Sequence, residues 1–210
     1  MTDIKIGLTK GRLLSETLDI FEKAGYDVSR VKNPGRKLIL PMNDTNVVLA
    51  KAPDVITYVG AGACDIGVVG KDVIMEKGGT FYEYFDLDIG KCKMILAAKD
   101  KSFFEGYKTK TIATKYPEIT SKYFAKKSMD VRIIKIEGSV ELTPLIGLAD
   151  AIVDITQTGQ TLKENNLIIL DEVCDISARL IVNIAALKLK QVKINKILSD
   201  IGGVLGDKDN

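Results

Sequence analysis

Residues 137–165 read EGSVELTPLIGLADAIVDITQTGQTLKEN. The apolar run at 151–155 predicts a buried strand that stops in a short loop of hydroxyls, amides and one glycine, and a helix is predicted to open from that loop. Such a junction makes an anion site, because the first N–H groups of a helix have no partner within it and the dipole is positive at that end. Thr158 and Thr161 add hydroxyls, and Gly159 between them leaves the backbone uncrowded. Asp150 and Asp154 stand ahead of the loop, four residues apart across Ala-Ile-Val. Carboxylates beside a phosphate cradle repel the ligand unless they meet sugar hydroxyls or a metal ion. Cradle and acids together predict a phosphorylated sugar.

Working outward, β-α alternation continues on both sides. Residues 4–8 alternate as a strand, and the next stretch carries Leu14, Leu18 and Phe21 at helical spacing before Gly25. Extended runs follow at 37–40 and 46–50, then a helix from Pro53 to Val59, a buried strand at 65–70 and a short helix behind it. YEYFDLD and KCKMILAAK predict paired or crossover strands near residues 82–98. The pattern then restarts with a strand at 110–113, a helix at 117–127, a strand at 131–136 and a helix over 142–148. LIILDEV and ARLIVNIAA read as returning strands, and 187–205 as a final amphipathic helix with Ile194, Leu198 and Ile201 on one face. Repeated alternation predicts parallel sheets with helices on their faces. The strand-rich stretch at 82–98 interrupts it, so two small α/β domains fit better than one long sheet.

Composition removes several chemistries. The 210 residues contain no histidine, which excludes Ser-His and Cys-His nucleophiles and the commonest zinc ligand. Cys64, Cys92 and Cys174 are far apart in sequence, without a CxxC pair, and read as reduced core thiols. Net charge is +2, and KLKQVKINK near the end is the one modest basic cluster, so nucleic-acid binding is not predicted. No signal-peptide pattern follows Met1 and no apolar run approaches bilayer length, so a cytoplasmic protein without membrane attachment is expected.

Glu141, then Gly147 after five residues, then Ala149, Ile152, Asp154, Ile155, Thr158, Gly159, Thr161 and Leu162, at these spacings, resemble the signature of the ATP phosphoribosyltransferase family. IGLTKGRLLSETLDIFEKAG at 6–25, RKLIL at 36–40, DVITYVGAGACDIGVVGKDVI at 54–74 and ARLIVN at 178–183 extend the resemblance over nearly the whole chain. It implies the enzyme of the first step of histidine biosynthesis, a pentosyltransferase joining the 5-phosphoribosyl group of phosphoribosyl pyrophosphate to N1 of ATP with release of pyrophosphate. The fold implied is α/β, two small domains of the type II periplasmic-binding-protein kind with the active site in the cleft. Domain I would take residues 1–90 and 175–210, and domain II, carrying the phosphoribosyl pyrophosphate loop, residues 91–174. Ending at Asn210, the chain resembles the short form, which works with a regulatory subunit resembling histidyl-tRNA synthetase in a hetero-octamer.

The resemblance also distributes roles. Thr156, Gln157, Thr158, Gly159, Gln160 and Thr161 would hold the 5′-phosphate, with Thr158 and Thr161 hydroxyls and the Gly159 amide as donors. Asp154, Asp150 and Glu141 would meet the ribose hydroxyls or Mg²⁺ carried by the substrate diphosphate; no protein-borne metal cluster is expected. Arg12, Lys10 and Arg36 would neutralise ATP phosphates or the leaving group. Lys51 stands in LAK where many members have arginine in an LVR-type run, and it offers a point charge in place of a planar fork. Ile56 stands where proline is usual, which alters only a helix start. The rival is a small-anion binding module without catalysis. A receptor of that kind would carry an export signal and a regulator a helix-turn-helix, and neither pattern is found. Type I phosphoribosyltransferases place two acids side by side, whereas these are four apart.

Overall fold

In the structure, a computed structural model that describes residues 3–206, the alternating N-terminus forms β1 (Ile4–Thr9), with Ile4, Ile6 and Leu8 fully buried. There follow α1 (Arg12–Lys23), α2 (Ser29–Lys32), β2 (Ile39–Met42), β3 (Thr45–Ala50), α3 (Ala52–Gly60), β4 (Ile66–Gly70), α4 (Lys71–Lys77) and β5 (Tyr82–Asp86). Next come β6 (Cys92–Ala98), a 3-10 turn at Lys101–Phe104, β7 (Lys110–Thr114), α5 (Pro117–Lys126), β8 (Val131–Lys135), α6 (Leu142–Leu145), β9 (Ala151–Thr156), α7 (Gln160–Glu164) and β10 (Ile168–Ile176). The described chain ends in β11 (Ala178–Val182), α8 (Ile184–Leu189) and α9 (Gln191–Gly206). Two units result, Met1–Gly90 with Ser177–Asn210, and Lys91–Ile176.

The first unit holds a six-stranded sheet in the order β2-β3-β1-β4-β11-β5. Leu18, Phe21, Ile194, Leu198 and Ile201 from α1 and α9 share one core with Ile4, Ile6, Leu8 and Leu180. Each such side chain contributes about 1.5–3 kcal/mol when fully buried. On the opposite face α3 packs so closely that a Cβ on Gly67 would lie 2.8 Å from Val59 and 2.9 Å from Val55, so glycine there is a packing requirement. The second unit holds a five-stranded sheet in the order β10-β6-β9-β7-β8, with Ile152 and Ile95 in a core that also takes Val140, Leu162 and Leu167.

The expectation of parallel sheets needs correction. β1 runs parallel to β3 and β4, and β7 parallel to β8 and β9, but β2, β11 and β5 are joined antiparallel in the first sheet and β6 and β10 in the second. An apolar run looks the same in either direction; direction depends on how the chain returns. YEYFDLD and KCKMILAAK fall in different sheets, so they cross over and do not pair. The strand expected over ARLIVNIAA stops at Val182, because the Asn183 side chain accepts from the Ala186 N–H at 2.8 Å and starts α8. The expected last helix is accordingly two, broken at Lys190. The helix over 142–148 is a single turn, since Gly147 takes φ +75°.

Candidate active site

β9 is central in its sheet, and its buried Ala151, Ile152 and Val153 fix which way the following residues face. Asp154 lies opposite Ile95 of β6, and Thr156 opposite Lys93. Alternation along the strand gives Asp154 and Thr156 the face of Ile152, the same face that carries the core shared with Val140 and Leu162. Glu141 reaches this side because Val140 is buried and the Thr143 hydroxyl donates to the Val140 carbonyl at 2.7 Å, which anchors the turn before and through α6. Glu141, Asp154, Ile155, Thr156, Gln157, Thr158, Gln160 and Thr161 thus line one pocket of about 180 Å³, floored by Ile95 and Leu162.

The loop is held from within. The Gly159 N–H donates to Thr156 Oγ1 at 3.0 Å, and the Gln160 N–H to Thr158 Oγ1 at 3.3 Å. Gly159 itself sits at φ +72°, ψ +3°, a left-handed conformation that L side chains rarely take, and a Cβ there would meet nothing within 4 Å. The glycine is therefore required by conformation and not by crowding. Gln160 Nε2 donates to Glu164 Oε1 at 2.8 Å along α7. The Gly159 amide, expected as a ligand donor, is engaged by Thr156. Instead the backbone N–H groups of Thr158, Thr161 and Leu162 find no acceptor among the described residues. Leu162, a buried apolar residue of the pocket lining, offers its main-chain N–H there, which no side-chain reasoning on the sequence reveals. Ile95 was equally hidden, because its place depends on the β6–β9 register.

Asp150 is not brought to the pocket. It precedes β9, about 13 Å from Asp154 by strand geometry, and its carboxylate accepts from the Thr111 N–H at 2.7 Å while its own N–H donates to the Thr111 carbonyl. It closes the β7–β9 pairing. The four cations lie in the other unit. Thr9 and Ala50 are register partners in the parallel β1–β3 pair, and the Lys10 N–H donates to the Ala50 carbonyl at 2.9 Å. Lys10 and Lys51 therefore leave neighbouring strands at the same end of the sheet, with Arg12 opening α1 two residues on. The Leu49 N–H donates to the Leu38 carbonyl, which carries Arg36, two residues earlier, toward that end as well. All four side chains are exposed. Carboxyl ends of parallel strands are the usual ligand edge of an α/β sheet.

Comparison with known proteins concerns the chain as a whole. The family model HisG, ATP phosphoribosyltransferase, matches residues 51–203. An ATP phosphoribosyltransferase of Clostridium kluyveri is 56% identical over 201 residues, covering 94% of this chain and 92% of that protein. That of Clostridium novyi is 51% identical over 212 residues, covering 99% and 100%. A chain of the ATP phosphoribosyl transferase (HisG:HisZ) complex from Thermotoga maritima matches with a TM-score of 0.83 and 35% identity, over 97% of this chain and 99% of that one. The periplasmic aliphatic sulphonate binding protein SsuA of Escherichia coli matches with a TM-score of 0.60 over 98% of this chain and 73% of that one, at 10% identity. That likeness concerns the fold alone, a two-domain periplasmic-binding-protein architecture of type II, and does not favour a receptor role. On the ordered motifs, the fold and these matches, the chain belongs to the ATP phosphoribosyltransferase family.

Proposed function

We propose that this chain, an ATP phosphoribosyltransferase acting at the first step of histidine biosynthesis, holds the 5′-phosphoribosyl end of phosphoribosyl pyrophosphate in the Glu141–Leu162 pocket. The observation that carries the reading is the convergence of Glu141, Asp154 and the Thr156–Thr161 loop on one small cavity. At about 180 Å³ it is below the range of about 300–1,000 Å³ usual for whole ligands, so it suits a phosphate and part of a sugar. α7 has five residues and a weak dipole. Binding therefore rests on several donors together, the Thr158, Thr161 and Leu162 amides with the two threonine hydroxyls, each charge-assisted bond contributing about 1.5–3 kcal/mol. Asp154 and Glu141 accept from the ribose hydroxyls and fix the orientation of C1.

Adenine N1 of ATP attacks C1 as the C1–O bond to pyrophosphate breaks. The attacking nitrogen has a lone pair, so no strong general base is required and the absence of histidine is no obstacle. The barrier lies in an oxocarbenium-like centre and in negative charge on the departing pyrophosphate. Asp154 and Glu141 stabilise the first. Lys10, Arg12, Arg36 and Lys51 serve the second and the ATP phosphates, Arg36 with a planar fork and Lys51 with a point charge.

The family's transfer uses a divalent metal ion, and we take it to be Mg²⁺. Carboxylate oxygens suit such a hard cation, yet among the described residues no group of three or more His, Cys, Asp or Glu could hold one. Asp154 and Glu141 would meet an ion carried by the substrate diphosphate, and that ion would supply neutralisation of the diphosphate charge. The chain works in the cytoplasm with a regulatory subunit resembling histidyl-tRNA synthetase, in a hetero-octamer; the solved HisG:HisZ complex supports a partner of this kind. No helix among the described residues is long and apolar enough to cross a membrane.

The test is direct: ATP, phosphoribosyl pyrophosphate and Mg²⁺ are mixed with the chain, alone and with the regulatory subunit, and product absorbance is followed. Absence of turnover in both mixtures refutes the activity. Thr158→Ala weakens phosphoribosyl pyrophosphate binding and spares ATP; an equal loss of both removes the loop from the sugar.

A further inference from the structure

Cys92 is the first residue of β6, and Cys174 lies on β10, the strand beside it. In the antiparallel register Cys92 is opposite Ile176, and Met94 is opposite Cys174. Opposed residues share a face of the sheet, as do residues two apart on one strand, so both thiols stand on the face of Met94 as diagonal neighbours. Both are half-buried and neither is in a disulfide in this structure. Diagonal neighbours have Cα atoms about 7–8 Å apart, and a disulfide accepts about 4.4–6.8 Å, so a shift of roughly 1–2 Å brings the pair into range. The ladder is loose where that shift is needed: its register slips between Glu172 and Cys174, and Cys92 is at the strand end. Cys64 is 2% exposed, burial pushes its thiol pKa up, and it belongs to the other unit.

We propose that Cys92 and Cys174 form a dithiol site that a low-molecular-weight disulfide converts into an intramolecular disulfide joining β6 to β10. One cysteine thiolate attacks a sulfur of the small disulfide; that S–S bond breaks, a mixed disulfide forms, and the departing small thiolate takes up a proton. The second cysteine thiolate attacks the protein-side sulfur of the mixed disulfide and expels the second small thiol. Two protein thiols are oxidised to one disulfide while one small disulfide is reduced to two thiols, so electrons and protons balance. The residue after Cys92, Lys93, pairs with Thr156 at the pocket, so the bridge draws on the strand that flanks the phosphate loop. The chemistry of the pair holds whatever ligand that loop takes.

The experiment incubates the full chain with oxidised glutathione, removes the oxidant, blocks remaining thiols with N-ethylmaleimide in denaturant and maps peptides by mass spectrometry without reduction. The expected product lacks two hydrogens, carries one N-ethylmaleimide on Cys64 and yields a cross-linked peptide pair containing Cys92 and Cys174. Cys92→Ser and Cys174→Ser each then retain glutathione on the surviving partner, because nothing expels it. Glutathione retained on both Cys92 and Cys174 in the unaltered chain, a bridge to Cys64, or no reaction at either cysteine overturns the proposal.

Discussion

Replacing Gly159 by alanine isolates the conformation of the Thr156–Thr161 loop from its chemistry. The added methyl meets no atom within 4 Å, so nothing steric follows. The left-handed backbone at φ +72° costs an L residue about 1–2 kcal/mol. If the loop relaxes to escape, the 3.0 Å bond from the Gly159 N–H to Thr156 Oγ1 goes with it, and the Thr158, Thr161 and Leu162 amides no longer converge. A loop that relaxes in this way loses its binding-competent form by up to that amount, and apparent affinity falls by the lost population. About 1–2 kcal/mol is about 5- to 30-fold in Kd for phosphoribosyl pyrophosphate, with ATP binding unchanged. Gly159→Asn falls between, because asparagine tolerates the left-handed region better than alanine. Calorimetric titration of each substrate against the three proteins reads this directly. Equal phosphoribosyl pyrophosphate affinity in glycine and alanine forms, or asparagine weaker than alanine, refutes the reasoning.

Asp150→Asn removes a carboxylate acceptor from the Thr111 amide and lowers urea-unfolding stability by about 1 kcal/mol with no change in KM for phosphoribosyl pyrophosphate; a raised KM would return Asp150 to the pocket. Arg36→Ala lowers kcat about 10²-fold if its guanidinium stabilises the leaving group, with the substrate KM values little altered, and an unchanged kcat makes it a surface charge. Asp171 is held below the usual carboxylate range by hydrogen bonds from Lys127 first and Tyr123 second. Its folded pKa is depressed, so its stabilisation is complete above the unfolded value of about 4 and is lost as pH falls below it. Tyr123→Phe removes one of those bonds, so its unfolding midpoint declines less than the parent's between about pH 5 and pH 3; parallel declines contradict this.

The strand-loop-helix junction was legible because it is written in consecutive residues, a strand end, two threonines and a glycine, whose local geometry follows from local rules. Asp150 was misplaced for a related reason: four residues along a strand keep the same face, and sequence spacing carries no reminder that they also span about 13 Å. Strand direction was hidden, since Ile95 meets Asp154 only through an antiparallel pairing of segments nearly sixty positions apart. Asn183 was a visible signal passed over, a helix cap inside an apolar run. The amides left without an acceptor in this loop are invisible in any sequence, because every residue has one and only its fold decides whether it is spent.

β6 begins and β10 ends on the same rung, with Cys92 opposite Ile176, and the Ala178 N–H donates to the Ile89 carbonyl at 2.9 Å. Both cut ends of the inserted segment, and both cut ends of its host, thus lie within about 5 Å of each other. Each could be resealed by a tight hairpin of two residues. The inserted stretch is in effect a detachable cartridge, topologically whole when excised, which can be transplanted or shuffled with its pocket without reweaving the sheet that receives it.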